Sequence, residues 1–88
     1  MSEQEEASKD EYDIGVNGTP FDVPNETVSY EQVVDLAYPN GRSDENAMFK
    51  VDFEDAHSKP KDGQLDEGGS VEVKKKGTEF SVIRSIRS

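Results

Sequence analysis

The order in which apolar periodicity changes along this 88-residue chain leaves few folds open to it. Tyr12, Ile14 and Val16 alternate with polar or small residues, the pattern of a half-buried strand. Asn17-Gly18 follows, and both residue types tolerate the positive φ that a two-residue hairpin turn demands. Phe21 and Val23 resume the alternation between Pro20 and Pro24. Proline donates no ladder hydrogen bond, so this second strand is placed at a sheet edge. Ser29 and Gln32 stand at capping-box spacing, and Tyr30, Val33, Val34 and Ala37 then share a helical face with Leu36 nearby. Pro39 and Asn40-Gly41 stop the helix, which reads as Tyr30 to Tyr38. Phe49, Val51 and Phe53 alternate with Lys50, Asp52 and Glu54 in the clearest strand of the chain. Residues 55–69 are polar and glycine-rich, with Leu65 as their apolar anchor and a turn at Asp66-Glu67-Gly68-Gly69. Val71 and Val73 form a short strand that Lys76-Gly77 turns back. Phe80, Val82 and Ile86 share one face of the last strand, and Ile83 faces the other way.

Hairpin, helix, third strand and closing hairpin predict an α+β domain in which a mixed four- to five-stranded sheet packs on one helix. That is the order of the ubiquitin-like β-grasp, whose first and last strands are parallel central neighbours. A hydrophobic share of 31% supports a core only a few side chains deep, which suits two layers. The expected core is Ile14, Val16, Phe21, Val23, Val33, Val34, Ala37, Phe49, Val51, Leu65, Val71, Val73, Phe80 and Val82. No internal repeat is present, so the chain is one module. Residues 1–11 read as a disordered acidic leader, 12–84 as the domain and 85–88 as a flexible C-terminal tail.

The net charge is −10 and the pI about 4.4, which argues against nucleic acid as a partner because phosphate binding needs a basic footprint. The charge is uneven. Residues 1–13 hold Glu3, Glu5, Glu6, Asp10, Glu11 and Asp13 against Lys9. Residues 74–88 hold Lys74, Lys75, Lys76, Arg84 and Arg87 against Glu79. The reading is an acidic body with a basic C-terminal arm. There is no cysteine, which excludes disulfides, thiol nucleophiles and cysteine metal sites. No apolar run approaches a membrane span or signal segment, so a cytoplasmic location is expected, with no membrane partner.

Several fragments carry a family resemblance. They are Val16-Asn17-Gly18-Thr19-Pro20-Phe21, the Val28 to Ala37 stretch, Met48-Phe49-Lys50-Val51, Gly63-Gln64-Leu65 with Gly68-Gly69-Ser70-Val71, and Phe80-Ser81-Val82. In order and spacing they resemble the bacterial multiubiquitin-type domain over roughly residues 13–88. Such domains are bacterial ubiquitin-like proteins, often in tandem copies, encoded beside activating-enzyme, conjugating-enzyme and metallopeptidase homologues. The resemblance implies a protein modifier, not an enzyme, with those homologues and target proteins as partners. It implies no bound cofactor, ATP being used by the activating enzyme. The domain is expected to be a monomer on its own.

In that reading the C-terminal carboxylate of Ser88 is the reactive group. Arg84, Ile86 and Arg87 form the tail that an activating enzyme reads, the arginines by charge complementarity. The plain alternative is a frayed, solubilised chain end. One feature departs from ubiquitin and the sulfur carriers: they end in Gly-Gly, and this chain ends Ile86-Arg87-Ser88. Either partner enzymes accept a terminal serine, or processing makes the true end, or the domain is not conjugated. The internal Gly68-Gly69 reads as a turn. A non-conjugated β-grasp module that binds a partner protein is the second reading, and a sulfur carrier the third.

No catalytic residue and no metal ligand set is expected. His57, the single histidine, has no partner placed by the sequence and reads as a solvated loop residue. Asp62-Gly63 and Asp66-Glu67-Gly68 miss the calcium-loop spacing and read as acidic turns. The outward residues of the third strand are Lys50, Asp52 and Glu54, with Met48 at its start and Ile83 across from them. Recognition of that face is therefore expected to be more electrostatic than apolar. Lys50, Lys59, Lys61 and Lys74 to Lys76 read as exposed and able to act as acceptors.

Overall fold

The structure, a computed structural model, describes residues 11–86. Most of the expected leader, residues 1–10, and the tail residues Arg87 and Ser88 lie outside the described residues. The first hairpin joins β1 (Tyr12–Val16) to β2 (Thr19–Val23) in antiparallel register, Ile14 opposite Phe21. Its turn has φ of 52° at Asn17 and 84° at Gly18, the two positive angles that the Asn-Gly pair is suited to supply. β2 lies at the sheet edge, as its prolines require.

A three-residue strand, β3 (Thr27–Ser29), leads into α1 (Tyr30–Ala37). Ser29 caps the helix, its Oγ accepting from the Gln32 amide at 3.1 Å. Tyr30, Val33 and Val34 are buried under it. The helix stops one residue before the expected Tyr38, which acts as its C-cap and donates to Val34 O at 2.8 Å. Pro39 then prevents continuation, and Asn40, at φ 68°, opens a 3₁₀ turn over Gly41–Ser43. The remaining strands are β4 (Ala47–Glu54), β5 (Gly63–Leu65), β6 (Ser70–Glu72) and β7 (Lys76–Ile86).

The main sheet has five strands in the order β2-β1-β7-β4-β5. β7 is central, parallel to β1 and antiparallel to β4, and the helix packs on one face. This is the mixed β-grasp sheet expected from the sequence. The closing hairpin is not formed. β6 pairs with β3 instead, Val28 opposite Val71, in a separate two-stranded sheet. β1 takes one side of β7 over Lys76–Phe80 and β4 takes the other over Glu79–Ile86, so β6 does not join β7 as a hairpin partner. A buried threonine fixes the diversion: Thr78 Oγ1 accepts from the Lys74 amide at 3.0 Å and donates to Asp55 O at 2.9 Å. Lys74 Nζ also reaches the Asp55 carboxylate at 2.6 Å, and that ammonium holds the Asp55 carboxyl below its usual value.

The core contains Ile14, Val16, Val23, Val33, Val34, Val51, Leu65, Val71, Val73, Phe80 and Val82, all expected. Phe21, Ala37 and Phe49 are only partly buried. Phe21 sits on an edge strand, and Phe49 leans on Tyr38 at the helix end, ring centroids 5.6 Å apart. Val28, Tyr30, Phe53 and Ala56 are buried in addition. Each large apolar side chain so covered stabilises the fold by about 1.5–3 kcal/mol.

Candidate functional site

β7 runs for 11 residues, but its β1 neighbour ends at Val16, opposite Phe80. The first hairpin turn completes the ladder with a side chain. The Asn17 amide donates its N–H to Phe80 O at 2.9 Å. Its side-chain Nδ2 donates to Val82 O at 3.1 Å, and its Oδ1 accepts from Val82 N at 2.9 Å. The carboxamide thus imitates one further peptide of β1. Past Val82 the strand keeps β4 alone, through Lys50↔Ile83, Phe49↔Arg84, Met48↔Ser85 and Ala47↔Ile86. Ile83, Arg84, Ser85 and Ile86 are all exposed.

The two strands form a ribbon with two faces. Alternation puts Phe80, Val82, Arg84 and Ile86 on the helix side and Glu79, Ser81, Ile83 and Ser85 on the outer side. Arg84 reaches back past the helix, Nη2 to Asp44 Oδ2 at 3.0 Å, in an exposed ion pair. Ile86 is 58% exposed beside Ala47. On the outer face of β4 and β7, Met48 and Ile83 are the exposed large apolar residues. They stand among Lys50, Asp52, Glu54 and Glu79. The opposite edge of the ribbon is blunted: Tyr30 Oη donates to Phe49 O at 3.1 Å, and the Ala47 amide donates to Asp44 O at 3.1 Å.

The multiubiquitin family matches residues 12–86, from the first residue of β1 to the last of β7. The chain belongs to the multiubiquitin family. No curated protein and no solved structure matches it. Family and topology together make this a ubiquitin-like domain, with its C-terminal strand at the centre of the sheet.

Of the four tail residues singled out in the sequence of this multiubiquitin-family domain, two are described. Arg84 and Ile86 lie on one face of β7, and Arg87 and Ser88 fall beyond the described residues. The boundary expected after Arg84 moves outward, because Ser85 and Ile86 are paired with β4. Alternating Ile and polar residues continue the strand pattern to Ile86, and that continued alternation was the available signal. Sequence reasoning assigned Asn17 to the turn and missed its bond to Val82, 65 residues away. It also missed Asp44 as an internal partner for Arg84.

His57 lies in the loop after β4, its Nε2 3.9 Å from Glu26 Oε2 and its side chain well exposed. Among the described residues no group of three His, Asp or Glu side chains is placed to hold a metal ion. The acidic turns are structural. Asp62 Oδ1 accepts from the Asp55 amide at 3.0 Å, and Gly68, at φ 80°, shapes the turn closed by Gly69 N and Asp66 O. Among the described residues no helix is long and apolar enough to cross a membrane.

Proposed function

We propose that this ubiquitin-like domain is a protein modifier of the cytoplasm, the substrate and not the catalyst of its pathway. A partner activating enzyme uses ATP on the domain's C-terminal carboxylate, that of Ser88 in this chain. The carboxylate oxygen attacks the α-phosphorus, pyrophosphate leaves, and an acyl adenylate forms. A partner cysteine thiolate then displaces AMP to give a thioester. A target amine displaces the thiol and leaves an amide. Conjugating-enzyme and metallopeptidase homologues complete the partner set.

The observation that supports this reading is the seating of β7. The strand is held on both sides as far as Val82, and then leads the chain outward through four exposed residues. A rigid body followed by an accessible strand suits a domain whose end must enter another protein's site. Arg84, 37% exposed at its side chain, is available for acidic groups at the mouth of that site.

The test is tryptic mass spectrometry of the host proteome. Cleavage after Arg87 leaves a single serine on an acceptor lysine when Ser88 is the conjugated end. Serine remnants that vanish on deletion of Ser88 are the expected result. Remnants ending at an earlier residue would place a processing step before activation. An abundant chain with no remnants would overturn the modifier reading in favour of a non-conjugated binding module.

A further inference from the structure

We propose that the β1-side edge of residues Ile83–Ile86 is a strand-addition site. Its occupant is an extended segment of a partner protein that alternates apolar and acidic residues. The argument begins with which way the backbone of β7 points. Phe80 O, Val82 N and Val82 O all bond toward the first hairpin. Both polar groups of a strand residue lie on the same side, and the side alternates residue by residue. The N–H and C=O of Arg84 therefore point to the β1 side too, where β1 has already ended. No described residue reaches them. Ile83 and Ser85 point the other way, into the β4 ladder.

The other strand edges of the main sheet are each blunted by something visible. β2 carries Pro20 as its second residue, with Pro24 just past its end. β5 is three residues long. The outer edge of β4 beyond β5 is closed by the Tyr30 hydroxyl on Phe49 O and by Asp44 O on the Ala47 amide. Natural sheets cover or charge their edges because an open row of donors and acceptors templates another strand. The Asn17 carboxamide ends the β1 ladder cleanly at Val82, leaving the next rung, at Arg84, open to an incoming chain.

The side chains around this rung specify the guest. An added strand lies about 4.8 Å from β7, with its residues alternately on the two faces. On the outer face it meets Ile83, 52% exposed, with Met48 on the same face beyond it. Apolar residues at those positions cover the isoleucine. On the helix side it meets Arg84, whose guanidinium stays exposed in its ion pair with Asp44, and Val82 to Ile86 themselves carry no acid although the whole chain has a net charge of −10. Acidic residues at the alternate positions complete the match. The site does not depend on conjugation: a chain lacking Ser88 is expected to bind as well as the full one.

The test uses the full ¹⁵N-labelled chain and a synthetic nine-residue peptide alternating valine with glutamate. A peptide of the same composition with its valines in one block is the control. In the free protein the Arg84 amide is expected to exchange with solvent at least about tenfold faster than those of Val82 and Ile83. On addition of the alternating peptide, exchange at Arg84 should slow by about tenfold or more, while Ile83 and Ser85 are unchanged. Arg84→Pro removes the N–H of the open rung and leaves the β4 ladder intact, so it should weaken binding at least about tenfold. Arg84→Ala keeps the rung and should retain the protection at that amide. An Arg84 amide already protected in the free chain would mean that a second copy or the chain itself covers the edge. That result overturns the proposal. So does absence of binding, equal binding of the blocked peptide, or an Arg84→Pro variant that binds as the parent does.

Discussion

The side-chain amide of Asn17 hydrogen-bonds both backbone polar groups of Val82, at 3.1 Å to its carbonyl and 2.9 Å from its amide. One residue therefore both makes the first turn and clamps the last strand. Asn17→Gly separates these roles, because glycine accepts the 52° φ at no steric cost but has no carboxamide. Loss of the two bonds should cost about 1–3 kcal/mol. The check is the urea midpoint together with the exchange rate of the Val82 amide. A midpoint equal to the parent's would show that the clamp contributes nothing.

Thr78 is fully buried, and its hydroxyl joins Lys74 N to Asp55 O. Thr78→Val keeps shape and volume and strands both backbone groups. A destabilisation of about 1–3 kcal/mol for each group left unpaired is the expected scale. Thr78→Ser keeps the hydroxyl and should recover most of it. Chemical denaturation of the pair of variants gives the comparison, and a Thr78→Val protein as stable as the parent would show that the hydroxyl bonds contribute nothing.

Local periodicity explains what the sequence made legible here. The strands β1, β2, β4 and β7, the Ser29 cap, the Asn-Gly turn and the edge position of β2 all follow from residues within a few positions of one another, whereas β5 lies in a stretch that reads as loop. What it hid is long-range. Thr27-Val28-Ser29 is too short to read as a strand, and nothing nearby shows that Val28 will pair with Val71. Thr78 looks like an exposed polar residue until Asp55 and Lys74 are brought to it. At the candidate site, Arg84 and Ile86 were visible as tail residues. The open rung was not, because it depends on where β1 stops relative to β7.

Tyr30 donates its hydroxyl to Phe49 O at 3.1 Å, and burial, then the nearby Glu67 and Glu31 carboxylates, push its pKa above 10.0. An acid whose folded pKa is raised holds its proton while the unfolded chain gives it up. Stability is fully present below pH 10.0 and falls as pH rises from there toward the folded pKa. Tyr30→Phe should remove this alkaline loss and cost about 0.5–1.5 kcal/mol at neutral pH for the missing bond. Thermal unfolding of both proteins between neutral and strongly alkaline pH reads the difference; parallel curves would refute the assignment.

Asp35 and Arg42 form a two-pronged pair, Nε to Oδ1 and Nη2 to Oδ2 both at 2.8 Å. The guanidinium hydrogen bond holds the Asp35 carboxyl below 3.8. The contribution is present above that value and is lost as pH falls through the folded pKa. Because both side chains are nearly half exposed, it should amount to less than about 1 kcal/mol. The stability gap between the parent and Asp35→Asn should therefore be small at neutral pH, shrink in high salt and close in strong acid. A gap that persists below the folded pKa would mean that the charge of Asp35 is not what the substitution removes.

Arg84 ties the exposed end of β7 to Asp44 at 3.0 Å, so its replacement has two separable effects. Arg84→Glu places two carboxylates together and should destabilise the domain by no more than about 1 kcal/mol, since the pair is exposed. The same change reverses the charge that the proposed activating enzyme meets. Adenylation, followed as ATP-dependent pyrophosphate exchange at low salt, should slow at least about tenfold, and the deficit should shrink as salt screens the interaction. Asp44→Asn breaks the internal pair but leaves the arginine in place, and should leave the rate unchanged or raise it. An Arg84→Glu protein activated as fast as the parent would remove electrostatic reading of the tail from the mechanism.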